Sequence, residues 1–204
     1  VAGSTTGEAR TETMVPNIEK FLENNTAILI ISLNERRTPL CAVDIIKSTT
    51  KDSTTFSRFS YGTPRGHQTP TIMPRPDLEG YFKWIPDSKH SENYPYNGMD
   101  VYDPKSNLPR DCLQSTEVVE KQSSNNKCAM FLNIKTSTCL THGTSDHQRT
   151  PKRTSEVRIK TSTLQADEAA GCLMELQVPV TYVTPLKGCM KKLQKIISRH
   201  QQQS

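Results

Sequence analysis

Six cysteines, Cys41, Cys112, Cys128, Cys139, Cys172 and Cys189, carry the most constraining chemistry in this chain. A thiol can ligate a metal, act as a nucleophile or be oxidised to a disulfide, and spacing separates these cases. No two stand as Cys-x-x-Cys, so neither a zinc ribbon nor a thioredoxin-type redox site is expected. An even number spread widely along a polar chain suits up to three disulfides in an oxidising compartment, and hence a secreted, extracellular protein. The densest set of possible metal ligands is Cys139, His142, Asp146 and His147. Its spacing is irregular and Cys139 is better used in a disulfide, so no metal and no cofactor are expected. His67, His90 and His200 also lie in polar stretches, where a solvated imidazole is the default. Without Gly-x-Ser-x-Gly, His-Glu-x-x-His or a phosphate-binding glycine loop, the chain is not expected to be an enzyme.

Binding chemistry is better represented. Phe59 and Tyr61 alternate on one face of a candidate strand, and Phe82 and Trp84 on another. If those faces point inward, the four rings line or fill an interior, as apolar and aromatic groups do in small-molecule pockets. An amine ligand would also need inward carboxylates. Glu117 and Glu175 lie on candidate strands, but Glu175 alternates away from its apolar face, which favours an apolar or amphiphilic ligand over an amine. Arg149, Lys152, Arg153, Arg158 and Lys160 form a basic cluster without interleaved aromatics, so no nucleic-acid partner is expected. Asn24-Asn25-Thr26 is an N-glycosylation sequon at Asn24.

The elements that must position these groups are short. Of 204 residues, 33% are hydrophobic, 6% aromatic and 23% charged, with a formal net charge of +5. That supports one modest core and a mixed surface. No run approaches the roughly 18 apolar residues of a membrane span. No charged segment followed by an apolar one opens the chain, so any secretion signal is expected to have been removed. Residues Val1–Thr13 are polar and aperiodic, and 201–204 form a second tail. Between them, 14–200 is expected to be a single domain with a long basic insertion around 140–171. Ile18, Phe21 and Leu22 share a helical face. Strands are expected at Thr26–Leu33, which is buried, and at Pro39–Thr49, Thr54–Tyr61, Tyr81–Ile85, Met99–Tyr102, Glu117–Glu120, Cys128–Lys135, Ser155–Thr161 and Cys172–Val180. A Pro/Gly/His stretch from Thr63 to Gly80 is expected to interrupt them. Met190, Leu193, Ile196 and Ile197 then mark one face of a cationic amphipathic helix over Cys189–His200. About eight strands with a helix at each end and no βαβ alternation predict an all-β, antiparallel barrel or sandwich. An eight-stranded barrel has room for one small molecule.

Four stretches then resemble one family, the salivary lipocalins of ticks, with their histamine-binding and lipid-binding members. Phe21–Ile30 is similar to the family's short helix running into its first strand. Leu40-Cys41-Ala42-Val43, with Ser48–Thr55, Phe59 and Tyr61 after it, resembles its second and third strands. Lys127-Cys128-Ala129-Met130-Phe131 is similar to a late strand opened by cysteine. Glu175-Leu176, Val183-Thr184-Pro185 and Cys189 resemble its Glu-Leu strand, its proline and its Cys-led C-terminal helix. The resemblance implies an eight-stranded antiparallel lipocalin-like barrel with a short N-terminal helix and a C-terminal amphipathic helix. It also implies a salivary protein that sequesters a small host mediator, a lipid or a biogenic amine, or that binds a host immune protein. The alternative is a secreted β-rich module that binds a host protein through its outer surface, with no internal ligand. The resemblance further implies a Cys128–Cys189 disulfide. The remaining four cysteines allow three pairings, of which Cys139 with Cys172 and Cys41 with Cys112 is preferred.

Overall fold

The computed structural model describes residues 14–35, 39–86, 93–106, 113–135 and 151–203. A short helix, α1 (Ile18–Phe21), leads into eight strands: β1 (Ala27–Ser32), β2 (Cys41–Thr49), β3 (Ser53–Gly62), β4 (Thr71–Lys83), β5 (Gly98–Tyr102), β6 (Leu113–Gln122), β7 (Cys128–Lys135) and β8 (Lys152–Lys160). Each pairs antiparallel with its neighbour in sequence, and β8 returns to β1, with Leu29 opposite Ile159, to close the barrel. The chain finishes in α2 (Thr161–Gln165), α3 (Ala169–Glu175), a 3₁₀ turn (Val180–Tyr182), α4 (Val183–Lys192) and α5 (Gln194–Gln203). The expected all-β, lipocalin-like barrel with helices at both ends is therefore present.

Strand direction defines the two ends. The turns β2–β3, β4–β5 and β6–β7 lie at the end where α1 sits, the closed end; the other four connections lie at the opposite end. α1 closes its end from within. Asn17 caps the helix by accepting from the Lys20 N–H, the Ile18 N–H donates to the Tyr96 carbonyl at 3.1 Å, and Phe21 meets Phe131 at 5.6 Å between ring centroids. Ile18, Phe21 and Leu22 complete an interior cluster with Ile28, Ile46, Phe56, Leu78, Phe82, Met99, Val119 and Phe131. Packing here is tight: a methyl on Gly80 would sit 2.7 Å from the Met99 sulfur.

A second apolar cluster lies outside the barrel. Leu29, Ile31, Cys41, Val43, Val157 and Ile159 face outward and are covered by Leu164, Leu173, Leu186, Leu193 and Ile197 of the C-terminal helices. β1 is consequently buried at all six positions, which is why it is an unbroken apolar run rather than an alternating one.

Three expectations change. Residues 71–80 are strand, not an interruption. Pro74 and Pro76 are tolerated because β5 pairs only with Glu79–Lys83, leaving one edge of the first half of β4 without that partner, and because the β3–β4 register shifts between Phe56 and Arg58. Cys172–Val180 is not a strand. Ala169, Cys172, Leu173 and Leu176 are buried at i, i+3, i+4 and i+7, the helical repeat. Gln177, at φ 59°, ends the helix by turning left-handed, and the Val178 N–H then donates back to the Leu173 carbonyl at 2.9 Å. The final amphipathic segment is two helices that meet at Leu193 and begin earlier than expected.

The disulfides also differ. Cys41 bonds Cys189 and Cys128 bonds Cys172, so the expected Cys128–Cys189, Cys41–Cys112 and Cys139–Cys172 pairings are all overturned. The reason is the path of the helices over the outer wall. α3 passes the closed end, where Cys128 begins β7, and α4 reaches the opposite end, where Cys41 begins β2. Cys112 and Cys139 lie outside the described residues, as do His142, Asp146 and His147.

Candidate ligand-binding site

Away from α1 the interior changes character. β2 turns Asp44 inward, β3 Arg58, β6 Ser115 and Glu117, β7 Asn133, and β8 Glu156 and Arg158, and all of these are buried. Adjacent strands place them together, since Asp44 pairs with Arg58 and Glu117 with Asn133 across the ladders. Arg58 grips Asp44 with both arms, Nε to Oδ1 and Nη2 to Oδ2 at 2.7 Å each, and donates through Nη1 to Glu117 Oε1 at 2.8 Å. Arg158 Nη2 reaches Glu117 Oε2 at 2.6 Å and Glu156 Oε2 at 2.7 Å. Ser115 Oγ donates to Glu117, and Asn133 Nδ2 donates to Glu156 at 3.0 Å. The Arg158 guanidinium lies 4.0 Å from the centre of the Phe131 ring, where the charged half meets the apolar one.

Electrostatics follow from this geometry. Burial alone would raise the Glu117 carboxyl pKa, but the Arg158 and Arg58 guanidiniums outweigh it and hold the group well below the usual carboxylate range. Burial opposes the charge on Arg58 and Arg158 too, and their carboxylate partners more than restore it. Beside this network, Arg75 stands opposite Arg58 in the β3–β4 register and donates to Gln114 at 2.7 Å. Partial burial and the Arg58 charge lower its pKa.

Two atoms of this assembly are left over. Arg158 Nη1, a donor, and Asn133 Oδ1, an acceptor, are buried without a hydrogen-bond partner among the described residues. Leaving such a group bare costs roughly 1–3 kcal/mol. The site therefore presents one donor atom and one acceptor atom without a partner among the described residues, within a network of bidentate arginine–carboxylate contacts.

The residues singled out from sequence are distributed differently. Phe59 and Tyr61 face outward, on the wall covered by the C-terminal helices. Tyr61 has the Lys192 ammonium 5.1 Å from its ring centre. It lines an outer cleft of about 1040 Å³ with Leu40, Cys41, Tyr182 and Pro185. Phe82 points inward but belongs to the packed closed half. Trp84 lies just past β4 at the closed rim, 6.1 Å from the Tyr94 ring. The four rings thus do not line one space. Glu175 is on α3 and accepts from the Ser124 N–H, whereas Glu117 is at the centre of the interior network.

Sequence reasoning missed Asp44, Arg58, Asn133, Glu156 and Arg158 as interior groups. Arg158 and Glu156 looked solvated because they alternate with Val157 and Ile159. In this wall the apolar face points outward, beneath helices. The available signal was β1, whose unbroken apolar run means that both faces of that wall are covered.

Fold and interior together define an eight-stranded antiparallel barrel of lipocalin type, packed at one end and charged toward the other. No protein-family model matches the chain, and no curated protein matches it as a relative.

Proposed function

We propose that this protein is a secreted, lipocalin-like carrier that holds a small molecule in the charged half of its barrel. The observation that carries the reading is the pair of unmatched buried atoms, Arg158 Nη1 and Asn133 Oδ1. A ligand acceptor, such as a hydroxyl or carboxylate oxygen, would meet the first, and a ligand donor the second. This modifies the preference drawn from sequence. The packed closed half leaves a long alkyl tail poorly served, and each interior carboxylate is already engaged by an arginine, which disfavours a simple amine. A compact mediator with a hydroxyl or acid group suits the site best.

Two disulfides fit an oxidising compartment, and among the described residues no helix is long and apolar enough to cross a membrane. The salivary lipocalin resemblance supplies the biological reading, sequestration of a host mediator or interference with host immunity. Asn24 is exposed at the closed end, so a glycan there would project away from the charged half. The outer cleft beside Tyr61 favours the second reading, a host protein bound on the outer wall by a barrel with no internal ligand.

Native mass spectrometry of the protein purified without denaturation tests the choice. A retained small molecule, lost in an Asn133→Leu variant, is the expected result. A bare polypeptide mass for both proteins, with no small-molecule affinity, would favour the outer-surface reading.

A further inference from the structure

The charge of this protein is distributed unevenly. Residues 176–204 contain Lys187, Lys191, Lys192, Lys195 and Arg199 and no Asp or Glu. Removing these five from the 26 Lys and Arg of the chain leaves 21, equal to its 21 Asp and Glu. The whole formal excess of +5 therefore resides in the segment that forms α4 and α5. All five side chains are exposed. Lys187 pairs with Asp167 at 3.2 Å and Lys192 lies over Tyr61. Lys191, Lys195 and Arg199 make no ion pair among the described residues.

Helix stability accounts for only part of this. Lys191 and Lys192 occupy the last turn of α4, where the helix dipole favours a cation. Lys195 stands in the first turn of α5, where the dipole disfavours one, and no acidic residue accompanies it there. One turn on, Arg199 shares its face. Lys195 is thus placed against the local helix field, and Arg199 adds a like charge beside it without an acidic partner.

We propose that α4 and α5 form a docking surface for a sulfated polysaccharide chain. The apolar face of both helices, Leu186, Cys189, Leu193 and Ile197, is buried against the barrel. The exposed large apolar residues, Val15, Tyr81, Tyr94, Met174 and Val180, lie on neither helix, so nothing there would enter a lipid layer. Neither helix carries Phe, Tyr or Trp, and the adjoining Tyr61 ring has Lys192 over it, so the helices present charge rather than a series of stacking rings for bases. What remains is a set of exposed, flexible cations on two consecutive helices, which suits closely spaced sulfates. Attraction would come from release of condensed counterions and would weaken steeply with salt.

The probe is a size-fractionated heparin oligosaccharide, titrated into the full chain by calorimetry at two salt concentrations. A Lys191→Gln/Lys195→Gln/Arg199→Gln variant should bind at least about tenfold more weakly, with a shallower dependence of affinity on salt. A control with the same charge change elsewhere, Lys20→Gln/Lys51→Gln/Arg65→Gln, should bind as the unaltered protein does. Equal loss in both variants would reduce the effect to net charge and overturn the proposal, as would loss in neither. Equal or tighter binding of phosphatidylserine vesicles or a single-stranded oligonucleotide through the same three residues would overturn it in favour of a lipid or nucleic-acid partner.

Discussion

The two halves of the barrel interior are built from the same strands but by opposite rules. At the closed end, β3, β4, β6 and β7 contribute Phe56, Leu78, Val119 and Phe131, and α1 fills the remaining space with Ile18, Phe21 and Leu22. A few residues further along the same strands, the inward positions are Arg58, Glu117 and Asn133, joined by Asp44, Glu156 and Arg158. Apolar packing contributes stability in proportion to area and is nearly indifferent to pH. A buried ionic network contributes little net stability over an apolar substitute, and holds only while every partner is present. The closed half is therefore the part that keeps the barrel folded. The charged half adds little as a stabilising device, which accords with the recognition role proposed for it.

The sharpest way to break this comparison is to remove one partner of the network. Arg158→Ala strips Glu117 and Glu156 of a shared guanidinium and Phe131 of its cation. Urea unfolding at neutral pH should show a loss of about 3–5 kcal/mol. At the closed end, Leu78→Ala leaves a cavity in a packed cluster and should cost about 3 kcal/mol, less than the loss of Arg158 although Leu78 is completely buried.

The two variants separate more clearly in their response to acid. The folded-state pKa of Glu117 lies below its ordinary value of 4.5. Its contribution is thus fully present above that value and is lost as pH falls toward the depressed one. Unfolding series from neutral pH into the acid range should show the Arg158→Ala deficit shrinking, because Glu117 protonates readily once its partner is gone. The Leu78→Ala deficit should stay constant. A pH-independent Arg158→Ala deficit would contradict the electrostatic account of this half. The smallest effect is expected outside the barrel. Lys83 and Asp100 pair at 3.0 Å on partly exposed side chains, and Asp100→Asn should change stability by about 1 kcal/mol or less.

Much of this fold was legible in the residues. Strict alternation marked β7 over Cys128–Lys135 with the bounds the structure has, and the apolar run of β1 marked a strand covered on both faces. The legible signals failed where two periods coincide. Cys172, Leu176 and Val178 fit a strand, but Ala169, Cys172, Leu173 and Leu176 fit a helix equally well, and only the outer wall that α3 covers decides between them. The prolines of β4 concealed a strand because their tolerance depends on how far β5 extends. The candidate site was the least legible feature. Glu156 and Arg158 carry the pattern of a solvated face, and their inward orientation follows from the helices covering Val157 and Ile159. Alternation gives the two faces of a strand but not which of them lies inside. The cysteines misled in the same way, since their pairing depends on where α3 and α4 cross the wall.

The most direct test of the charged half as a recognition site is a high-resolution crystal structure of the protein as purified, inspected for density beside Arg158 Nη1 and beside Asn133 Oδ1. Non-protein density larger than a water molecule, within hydrogen-bond distance of either atom, is the predicted result. Ordered water alone at both atoms, unchanged after soaking with hydroxyl- and carboxyl-bearing small molecules, would contradict it and leave the network as a purely structural plug.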